Sequence, residues 1–323
     1  MKRRTLIRYI AAGSALGLGQ GLGPAFGASF DAGTNAAGTQ VPARLPLWSG
    51  QPPGGATLTG PIERTAKGAV SHVAEPFLEV FMPAKPNGSA AVIAAGGGYK
   101  RIQMESEAYP AARWLAARGV TAFVLTYRLP GEGWADGALA PLQDAQRAIR
   151  LVHARARQYG VDPARVFALG FSAGGHLMGM AAARAGFAAY PARDEVDRLP
   201  AGVAAAALIY PVITLRPPYD HTSTRRLLVG DHPSPKESAE WSVETWIDAA
   251  TPPLFAVQAQ DDPIADPANI GILVQAAKAA GIAMEAHMLP SGGHGFGMGK
   301  PGSASAEWPS WFEPWLRQRG LLA

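Results

Sequence analysis

Val166-Phe167-Ala168-Leu169-Gly170-Phe171-Ser172-Ala173-Gly174-Gly175 is the stretch that decides the fold of this chain of 323 residues. Its first four residues form a short apolar run, which predicts a buried strand. Residues 175–185 follow with the small-residue pattern of a tightly packed helix. A serine between two glycines joins the two patterns. The stretch therefore predicts a strand, a sharp turn and a helix, with the serine hydroxyl exposed at the turn.

Short apolar runs and longer amphipathic runs alternate along the rest of the chain. The predicted strands and helices are those at residues 77–81, 90–94, 108–118, 120–126, 142–159, 203–210, 254–257, 268–280, 283–289 and 311–319. This alternation predicts an α/β fold, with a doubly wound, mostly parallel sheet in a single domain. Residues 217–240 are rich in proline and charge. They are predicted to form an insertion over the carboxyl edge of the sheet, where ligands bind in such folds.

Gly170-Phe171-Ser172-Ala173-Gly174 predicts a nucleophilic serine. The chemistry needs a strained strand-to-helix turn that exposes the hydroxyl, and only small neighbours fit beside such a turn. The backbone N–H of Ala173 would then point at the oxyanion that forms during attack. The five-residue pattern is weak by itself in a chain with 38 glycines. The strand before it and the helix after it make it specific.

Three consecutive glycines, Gly96, Gly97 and Gly98, follow the predicted strand at 90–94. Bare backbone can approach an acyl oxygen closely, and its N–H groups can donate to that oxygen. We therefore predict an oxyanion hole formed by Gly97, Gly98 and Ala173. A phosphate-binding loop is the alternative interpretation, but the Lys-Ser or Lys-Thr pair that it requires is missing.

A nucleophilic serine needs a base, and seven histidines are available: His72, His153, His176, His221, His232, His287 and His294. His294 alone lies in a late glycine-rich loop, residues 291–297, which can bring an imidazole close to another backbone. His294 is therefore the predicted base. His176 follows Ser172 by four residues and is expected to pack in the core. His287 lies in the strand-like run at 283–289 and is also expected to pack.

The acid that orients the base should follow the strand at 254–257, because the chain order in such folds is serine, acid, histidine. Asp261 and Asp262 both qualify. We favour Asp262, because Pro263 fixes the backbone behind its carboxylate. Asp261 remains the alternative. Asp266 precedes Pro267 and is expected to cap a helix.

Two further groups of residues attract attention. Trp48, Tyr99, Trp134 and Trp241 could form an aromatic floor that binds sugar faces, although each could instead pack in the core or a loop. Asp220-His221 and Asp231-His232 have the residue types of a metal site. Their spacing matches no known ligand pattern, so solvated side chains are the better interpretation. The sequence predicts neither a metal nor a cofactor.

The composition excludes several classes of protein. Hydrophobic residues are 48% and charged residues 17% of the chain, which supports a large core and argues against disorder. The mean hydropathy of +0.02 argues against a polytopic membrane protein. The chain has no cysteine, which excludes a disulfide scaffold, thiolate zinc sites, iron–sulfur clusters and a cysteine nucleophile.

The net charge of +4 comes entirely from the N-terminus. Lys2, Arg3, Arg4 and Arg8 are four of the 29 basic residues, so 25 basic and 25 acidic residues remain once residues 1–27 are left out. The remaining chain has a formal charge of zero. Nucleic acid, which requires a clustered basic face, is not an expected partner.

Residues 1–27 are predicted to be an export signal. A basic start is followed by an apolar stretch at 6–22 and by the small-residue site Ala25-Phe26-Gly27. Glycines interrupt the apolar stretch, and it is shorter than the ~20 apolar residues of a membrane span. Residues 3–8 resemble a twin-arginine signal, with Leu6 where Phe is usual, and an ordinary secretory signal is the alternative. A periplasmic or secreted protein without a membrane span in its mature form is expected.

Taken together, these motifs resemble the α/β-hydrolases of the esterase/lipase superfamily. They are most similar to bacterial acetyl-xylan and carbohydrate acetylesterase-like (feruloyl-esterase-like) members. The resemblance covers about residues 44–320. It is carried by Leu45-Pro46-Leu47-Trp48, Gly96-Gly97-Gly98-Tyr99, Tyr127-Arg128-Leu129, Gly170-Phe171-Ser172-Ala173-Gly174-Gly175-His176-Leu177, Tyr210-Pro211-Val212-Ile213, Asp262-Pro263 and Gly292-Gly293-His294-Gly295-Phe296-Gly297. Two positions depart from the pattern: Ala95 stands where a loop-bracing His is common, and Gln258 where His often precedes the acid.

The resemblance implies a serine carboxylic-ester hydrolase with the triad Ser172, Asp262 and His294. It would remove short acyl groups, acetyl above all, from carbohydrate through an acyl-enzyme on Ser172. Residues 28–60 would form an N-terminal extension and residues 61–323 the catalytic domain. The partner would be a small-molecule or polysaccharide ester, and no oligomeric state is predicted. Alternatives are a short-chain carboxylesterase or lipase-like enzyme on other esters, a serine peptidase, and a non-catalytic binding protein with the same fold.

Overall fold

An eight-stranded sheet lies at the centre of the protein, whose computed structural model describes residues 42–55 and 58–323. The strands are β1 (Ala43–Pro46), β2 (Glu63–Arg64), β3 (Val70–Ser71), β4 (Phe77–Phe81), β5 (Ala90–Ala94), β6 (Thr121–Thr126), β7 (Val166–Phe171), β8 (Ala206–Ile209), β9 (Leu254–Ala259) and β10 (Met284–Leu289). Their order in the large sheet is β1-β4-β6-β5-β7-β8-β9-β10. β2 and β3 form a separate antiparallel pair.

Helices connect the strands, as the alternating pattern predicts. They are α1 (Tyr109–Ala116), α2 (Ala140–Arg155), α3 (Ala173–Ala183), α4 (Ser223–Val229), α5 (Pro235–Glu240), α6 (Ala268–Ala280) and α7 (Trp308–Gln318). α3 packs on β7 and β8 and against α2, whereas α6 and α7 both contact β9. The predicted fold class, a doubly wound and mostly parallel α/β sheet, is confirmed. None of the described helices is both long and apolar enough to cross a bilayer.

The sheet is parallel from β6 to β10, and only the β1–β4 and β4–β6 pairs are antiparallel. β5 to β9 are buried along their whole length. Their sequences are mostly apolar and do not alternate with polar residues, because helices cover both faces of such a strand. The carboxyl ends of parallel strands meet at one edge. The residues that follow β5, β7, β8, β9 and β10 are therefore gathered there.

Part of the predicted N-terminal extension is paired with the large sheet. The predicted extension spans residues 28–60, yet β1 lies inside it and pairs with β4 through Ala43↔Val80 and Pro46↔Phe77. Leu45 and Leu47 are buried in the core. A strand of four residues is too short for its periodicity to be recognised. The predicted export signal at 1–27 and the first part of the extension lie outside the described residues.

A buried ion pair between Arg128, which follows β6, and Asp144 of α2 also binds this N-terminal segment. The Arg128 guanidinium lies 2.9 Å from the Asp144 carboxylate, and both side chains are fully buried. The backbone N–H of Arg128 and the indole N–H of Trp48 also donate to Asp144, each at 2.9 Å. Arg128 donates in turn to the carbonyl of Pro53 at 2.6 Å. Every charge in the cluster has hydrogen-bond partners, which is the condition under which buried charges are tolerated.

Candidate active site

Ser172 lies at the turn between β7 and α3, in backbone geometry that few residues adopt. Its φ is 51° and its ψ is −119°. The turn depends on the glycines on either side. A Cβ on Gly170 would lie 2.2 Å from the Gly174 carbonyl oxygen, and a Cβ on Gly174 would lie 2.2 Å from the Ala94 carbonyl oxygen. Since neither contact is possible, only glycine allows the backbone to turn this sharply beside β5.

The Ser172 hydroxyl begins a hydrogen-bond relay across three loops. It lies 2.7 Å from Nε2 of His294, and Nδ1 of His294 lies 2.7 Å from the Asp262 carboxylate. A carboxylate only accepts, so the proton is on Nδ1 and Nε2 accepts the serine O–H. The structure thus brings together the three side chains predicted from sequence as nucleophile, base and acid.

Asp262 is held rigidly behind the imidazole. Its Oδ1 accepts the backbone N–H groups of Ile264 and Ala265, at 2.8 and 3.0 Å. Its Oδ2, which faces His294, also accepts a hydrogen bond from the Gln258 side chain at 2.9 Å. Gln258 donates as well to the Ala265 carbonyl at 2.7 Å. The residue that departs from the related pattern therefore supports the acid through its amide group.

The loop that carries His294, residues 291–297, is anchored at both ends. Asp261 accepts the N–H groups of Gly292 and Gly293 at 2.9 and 2.8 Å. At the other end, the indole N–H of Trp308, the first residue of α7, donates to the Gly297 carbonyl at 3.0 Å. The structure places Asp262, rather than Asp261, against the imidazole. Asp266 caps the start of α6 through Ala268 N at 2.8 Å, as expected.

The glycine loop after β5 presents free backbone donors beside Ser172. Gly97 and Gly98 have φ values of 124° and 64°, and both residues line the cavity that contains Ser172. Within the described part of the chain, no hydrogen bond engages their N–H groups. Ala173 is the first residue of α3, where an N–H has no partner in the helix. The three predicted oxyanion donors are therefore unoccupied and adjacent to the serine.

Two buried side chains brace the glycine loop. The Tyr127 hydroxyl donates to the Ala95 carbonyl at 2.8 Å, and the Glu107 carboxylate accepts the N–H of Gly96. These contacts supply the bracing that a histidine at position 95 would give. Burial raises the pKa of Glu107 to about 7, although its hydrogen bonds from Gly96 and Tyr210 and the charge of His294 act to lower it.

The cavity beside Ser172 has a volume of about 310 Å³ and a lining that is about equally polar and apolar. Its walls are formed by Gly97, Gly98, Lys100, Arg101, Gln103, Ser106, Glu107, Ser172, Val212, Thr222, Ser223, Thr224, Ile264, His294 and Gly295. Residues 222–224 belong to the predicted insertion at 217–240, which does lie over the site. A larger cavity, about 770 Å³ beside β1 and β4, contains neither Ser172 nor His294. The chemistry therefore lies in the smaller cavity.

The four aromatic residues suggested as a sugar-binding floor follow the alternative interpretation, which is packing in the core or a loop. Tyr99 and Trp134 are buried, Trp241 packs partly buried against the core, and Trp48 donates to Asp144. Trp134 lies over the Arg128 guanidinium, 4.9 Å from its ring centre. None of these rings lines the cavity of Ser172. Each ring packs against the core or a charged core residue, which sequence spacing alone could not indicate.

His176 is a packed residue, as expected. Its Nε2 donates to the Trp241 carbonyl at 2.7 Å, and its Nδ1 accepts the Tyr99 hydroxyl at 3.0 Å. Burial lowers the pKa of His176 to about 4. His287, on β10, stacks on Trp311 with ring centres 4.5 Å apart. Among the described residues, no three metal-binding side chains are grouped to hold an ion.

Sequence reasoning missed two polar residues at the site, Glu107 and Tyr210. Tyr210 ends the predicted strand at 203–210, at the sheet edge where ligands bind, so its position was a usable signal. Glu107 carried no such signal, because an acidic residue before a predicted helix is usually explained by the helix dipole. The role of Asp261 as an anchor for the histidine loop was also missed.

Comparison with known proteins finds that several relatives of this chain are described as esterases. The family model of BD-FAE matches residues 78–276. The acetylxylan esterase of Xylanibacter ruminicola is 30% identical over 223 residues, which are 68% of this chain and 43% of that protein. The acetyl ester-xyloside bifunctional hydrolase of Caldicellulosiruptor lactoaceticus has 31% identity and a TM-score of 0.72, over 88% of this chain and 99% of that one.

A third similar protein is the thermophilic esterase of the planctomycete Thermogutta terrifontis, solved with butyrate bound. It has 26% identity and a TM-score of 0.63, over 84% of this chain and 96% of that one. This chain spans less than half the length of the curated acetylxylan esterase, but almost the full length of both solved structures. The segment matched by the family model includes Ser172 and Asp262 and ends before His294.

Proposed function

Because this chain belongs to the BD-FAE family, we propose that it is a serine carboxylic-ester hydrolase with Ser172 as nucleophile, His294 as base and Asp262 as the orienting acid. One observation carries the proposal. The relay from Ser172 to His294 to Asp262 has two contacts of 2.7 Å, and it opens into a cavity lined by the free N–H groups of Gly97 and Gly98.

The first step is acyl transfer to the serine. His294 Nε2 accepts the hydroxyl proton as Ser172 Oγ attacks the ester carbonyl carbon. The carbonyl oxygen becomes an oxyanion held by the N–H groups of Gly97, Gly98 and Ala173, each worth about 3 kcal/mol when well placed. The imidazolium then gives its proton to the departing alcohol. Asp262 stabilises that positive charge through Nδ1.

The second step is hydrolysis of the acyl-enzyme. Water takes the place of the alcohol, and His294 accepts one of its protons as the water oxygen attacks the acyl carbon. The proton returns to Ser172 Oγ when the carbon–oxygen bond breaks, and a carboxylic acid leaves. The same donors hold the oxyanion in both steps, so no group has to move between them.

A short acyl group, acetyl above all, is the proposed acyl part, and a carbohydrate is the proposed alcohol. The cavity of about 310 Å³ has only two aliphatic side chains in its described lining, those of Val212 and Ile264. A long acyl chain would need a larger apolar wall. The remaining lining side chains can hydrogen-bond to the hydroxyl groups of a sugar. The names of the acetylxylan and acetyl-xyloside relatives are consistent with this choice.

A general short-chain carboxylesterase acting on other esters is the second candidate. One observation favours it: the described lining of the cavity contains no Trp, Tyr or Phe side chain that could stack on a sugar. If the substrate were a carbohydrate ester, polar contacts alone would have to recognise its sugar. The two candidates share every catalytic residue and differ only in the alcohol.

A labelling experiment and a substrate panel test the proposal. A fluorophosphonate probe should label the wild type at Ser172 and should not label Ser172→Ala, because only an activated serine reacts. Absence of labelling would instead favour a binding protein. The panel compares p-nitrophenyl acetate, butyrate and octanoate with acetylated xylan. Preference for octanoate over acetate would overturn the short-acyl proposal. Release of acetate from p-nitrophenyl acetate but not from xylan would favour the second candidate.

We also propose that residues 1–27 direct export, to the periplasm or the medium. The support is the sequence pattern of basic start, apolar stretch and small-residue site. N-terminal sequencing of the exported protein should find a start near residue 28. Replacing Arg3 and Arg4 by Lys should stop export if the twin-arginine route is used, while Arg8→Lys serves as the control. Export of both variants at wild-type level would favour the ordinary secretory route.

A further inference from the structure

Glu107 is a buried carboxylate beside Ser172 that the two-step mechanism does not use. It is 3% exposed and lines the same cavity. A Cβ placed on Gly96 would lie 2.6 Å from the Ser172 Cβ and 3.2 Å from Glu107 Oε2. Only the bare backbone of Gly96 therefore separates the carboxylate from the nucleophile. Burying a carboxylate is unfavourable unless its oxygens are hydrogen-bonded, so its partners are informative.

The two oxygens of Glu107 bind groups from different parts of the chain. Oε2 accepts the N–H of Gly96, which begins the glycine loop. Oε1 accepts the Tyr210 hydroxyl at 3.0 Å, and the same Tyr210 oxygen accepts the N–H of Gly297 at 3.0 Å. Gly297 closes the loop that carries His294. Three consecutive hydrogen bonds thus connect the loop of the oxyanion donors to the loop of the base.

Tyr210 is held in an unusual conformation at this point. Its φ is 39°, a left-handed value that is strained for a residue with a side chain. Its backbone N–H donates to the Val257 carbonyl at 2.6 Å, so the end of β8 is fixed against β9. Its ring packs edge-on against His294 and Phe296, with centres 5.0 and 4.3 Å apart. Strain of this kind persists where the surroundings require it, often at functional sites.

We propose that Glu107 and Tyr210 are positioning residues that fix the glycine loop relative to the histidine loop. This inference rests on the proposed function. We call the three hydrogen bonds that run from Gly96 through Glu107 and Tyr210 to Gly297 the bridge. The bridge keeps the N–H groups of Gly97 and Gly98 and the imidazole of His294 directed at the same ester group. A displacement of one ångström between reacting groups lowers a rate by about 100-fold.

The charge of Glu107 gives the bridge a pH dependence. His294 faces it from the histidine loop, Tyr210 from the end of β8 and Tyr127 from the end of β6, and Lys100 and Arg101 line the same cavity. Burial raises the pKa of Glu107 to about 7, so the carboxylate becomes protonated as the pH falls through that value. Protonation removes the negative charge of Glu107 and weakens the hydrogen bond that its Oε2 accepts from Gly96.

The first test is Tyr210→Phe with Tyr109→Phe as the matched control. The Tyr109 hydroxyl also donates to a buried carboxylate, Glu79, at 2.6 Å, but neither residue lines the Ser172 cavity. We expect kcat for p-nitrophenyl acetate to fall about 10- to 100-fold in Tyr210→Phe, with KM close to the wild-type value. Tyr109→Phe should keep the wild-type kcat even if it melts at a lower temperature. Equal kcat in the two variants would overturn the proposal.

The second test is the pH profile of Glu107→Gln, which keeps the size of the side chain and cannot titrate. The ratio of wild-type kcat to variant kcat should fall as the pH drops through about 7, because only the wild type loses a charge there. A ratio that is constant from pH 5 to 9 would contradict the role of the carboxylate. Fluorophosphonate labelling of the wild type separates the two proposals. If the wild type is not labelled, the proposed hydrolase function is refuted. If the wild type is labelled but the Glu107 and Tyr210 variants keep wild-type kinetics, only the positioning role of these two residues is refuted.

Discussion

Asp261 and Asp262 are neighbours in the chain, and their carboxylates hold the same loop at two different points. Asp262 accepts from the imidazole of His294 at 2.7 Å, whereas Asp261 accepts the N–H groups of Gly292 and Gly293 just before it. One carboxylate therefore orients the side chain and the other fixes the backbone that carries it. The chain turns just before Pro263, so the two neighbouring carboxylates face different parts of the histidine loop.

Asp262→Asn and Asp261→Asn should separate these roles. Asp262→Asn can donate to Nδ1 and would leave His294 in the wrong tautomer, so kcat should fall about 10⁴-fold. Asp261→Asn keeps an oxygen for the two glycine N–H groups, and its kcat should fall by no more than about 10-fold. Steady-state kinetics on p-nitrophenyl acetate measures both variants. A larger loss in Asp261→Asn would identify Asp261 as the orienting acid.

Ser172→Ala should abolish turnover and leave the fold intact. The hydroxyl is the attacking atom, and its removal should lower kcat by about 10⁶-fold. The backbone of the turn is fixed by Gly170 and Gly174, which the substitution leaves unchanged. Circular dichroism and thermal melting should therefore match the wild type. Wild-type activity in this variant would disprove the assignment of the nucleophile.

Gly98→Ala should damage the oxyanion hole without unfolding the protein. Its Cβ would lie 2.1 Å from Ser223 Oγ, and its φ of 64° is unfavourable for alanine. A backbone shift that relieves the close contact or the strained φ moves the Gly98 N–H. Loss of one oxyanion donor lowers kcat by about 100- to 1,000-fold. Gly186→Ala is the control, because a Cβ there meets nothing within 4 Å. The kcat of the control should equal that of the wild type. Equal kcat in Gly98→Ala would exclude Gly98 as a donor.

Asp144→Ala should be strongly destabilising. It leaves the Arg128 guanidinium buried without its partner, which lowers the free energy of unfolding by about 3–5 kcal/mol. Arg317→Ala is the control, because Arg317 is half exposed and pairs with Glu313 at the helix surface, where a pair contributes about 0.3–0.5 kcal/mol. Urea unfolding at neutral pH measures both. Similar midpoints for the two variants would contradict the importance of the buried pair.

His176 should make the fold sensitive to acid. Its pKa is about 4 in the folded protein, against 6.5 for the free side chain, so the unfolded chain binds more protons between these values. The contribution to stability is complete above pH 6.5 and is lost as the pH falls to 4, by about 3 kcal/mol. His176→Gln cannot titrate, so the stability difference between wild type and variant should change across this range. Parallel stability curves would contradict the burial of a neutral histidine.

Much of the fold follows from local patterns. The strands at Phe77–Phe81 and Ala90–Ala94 and the helix at Ala268–Ala280 coincide with the predicted ranges, because short apolar or alternating runs and clear helical spacing decide them. The ends of the strands are predicted less accurately from the sequence than their positions. β7 continues through Phe171, and β8 begins only at Ala206, because pairing with neighbouring strands sets where a strand starts and stops.

In the candidate site, too, the residues with a local sequence signal were predicted and the others were not. Ser172, His294 and the glycine loop have local signals, namely glycines that allow a sharp turn or a close approach. Glu107 and Tyr210 have no local signal that specifies each other as partners, because 103 residues of sequence separate them. The choice between an aromatic floor and core packing was also left open by the sequence. The residue types of Tyr99 and Trp134 suit a sugar, but tertiary packing buries them.

The attachment of the histidine loop to Trp308 bears on when this protein can become active. Ser172 and Asp262 leave the ribosome well before Trp308, and their strands can pair while synthesis continues. The indole that fixes Gly297 comes near the end of the chain, with α7. The loop that carries His294 therefore depends on α7 for its position, and the proposed activity requires both synthesis through Trp308 and packing of that helix.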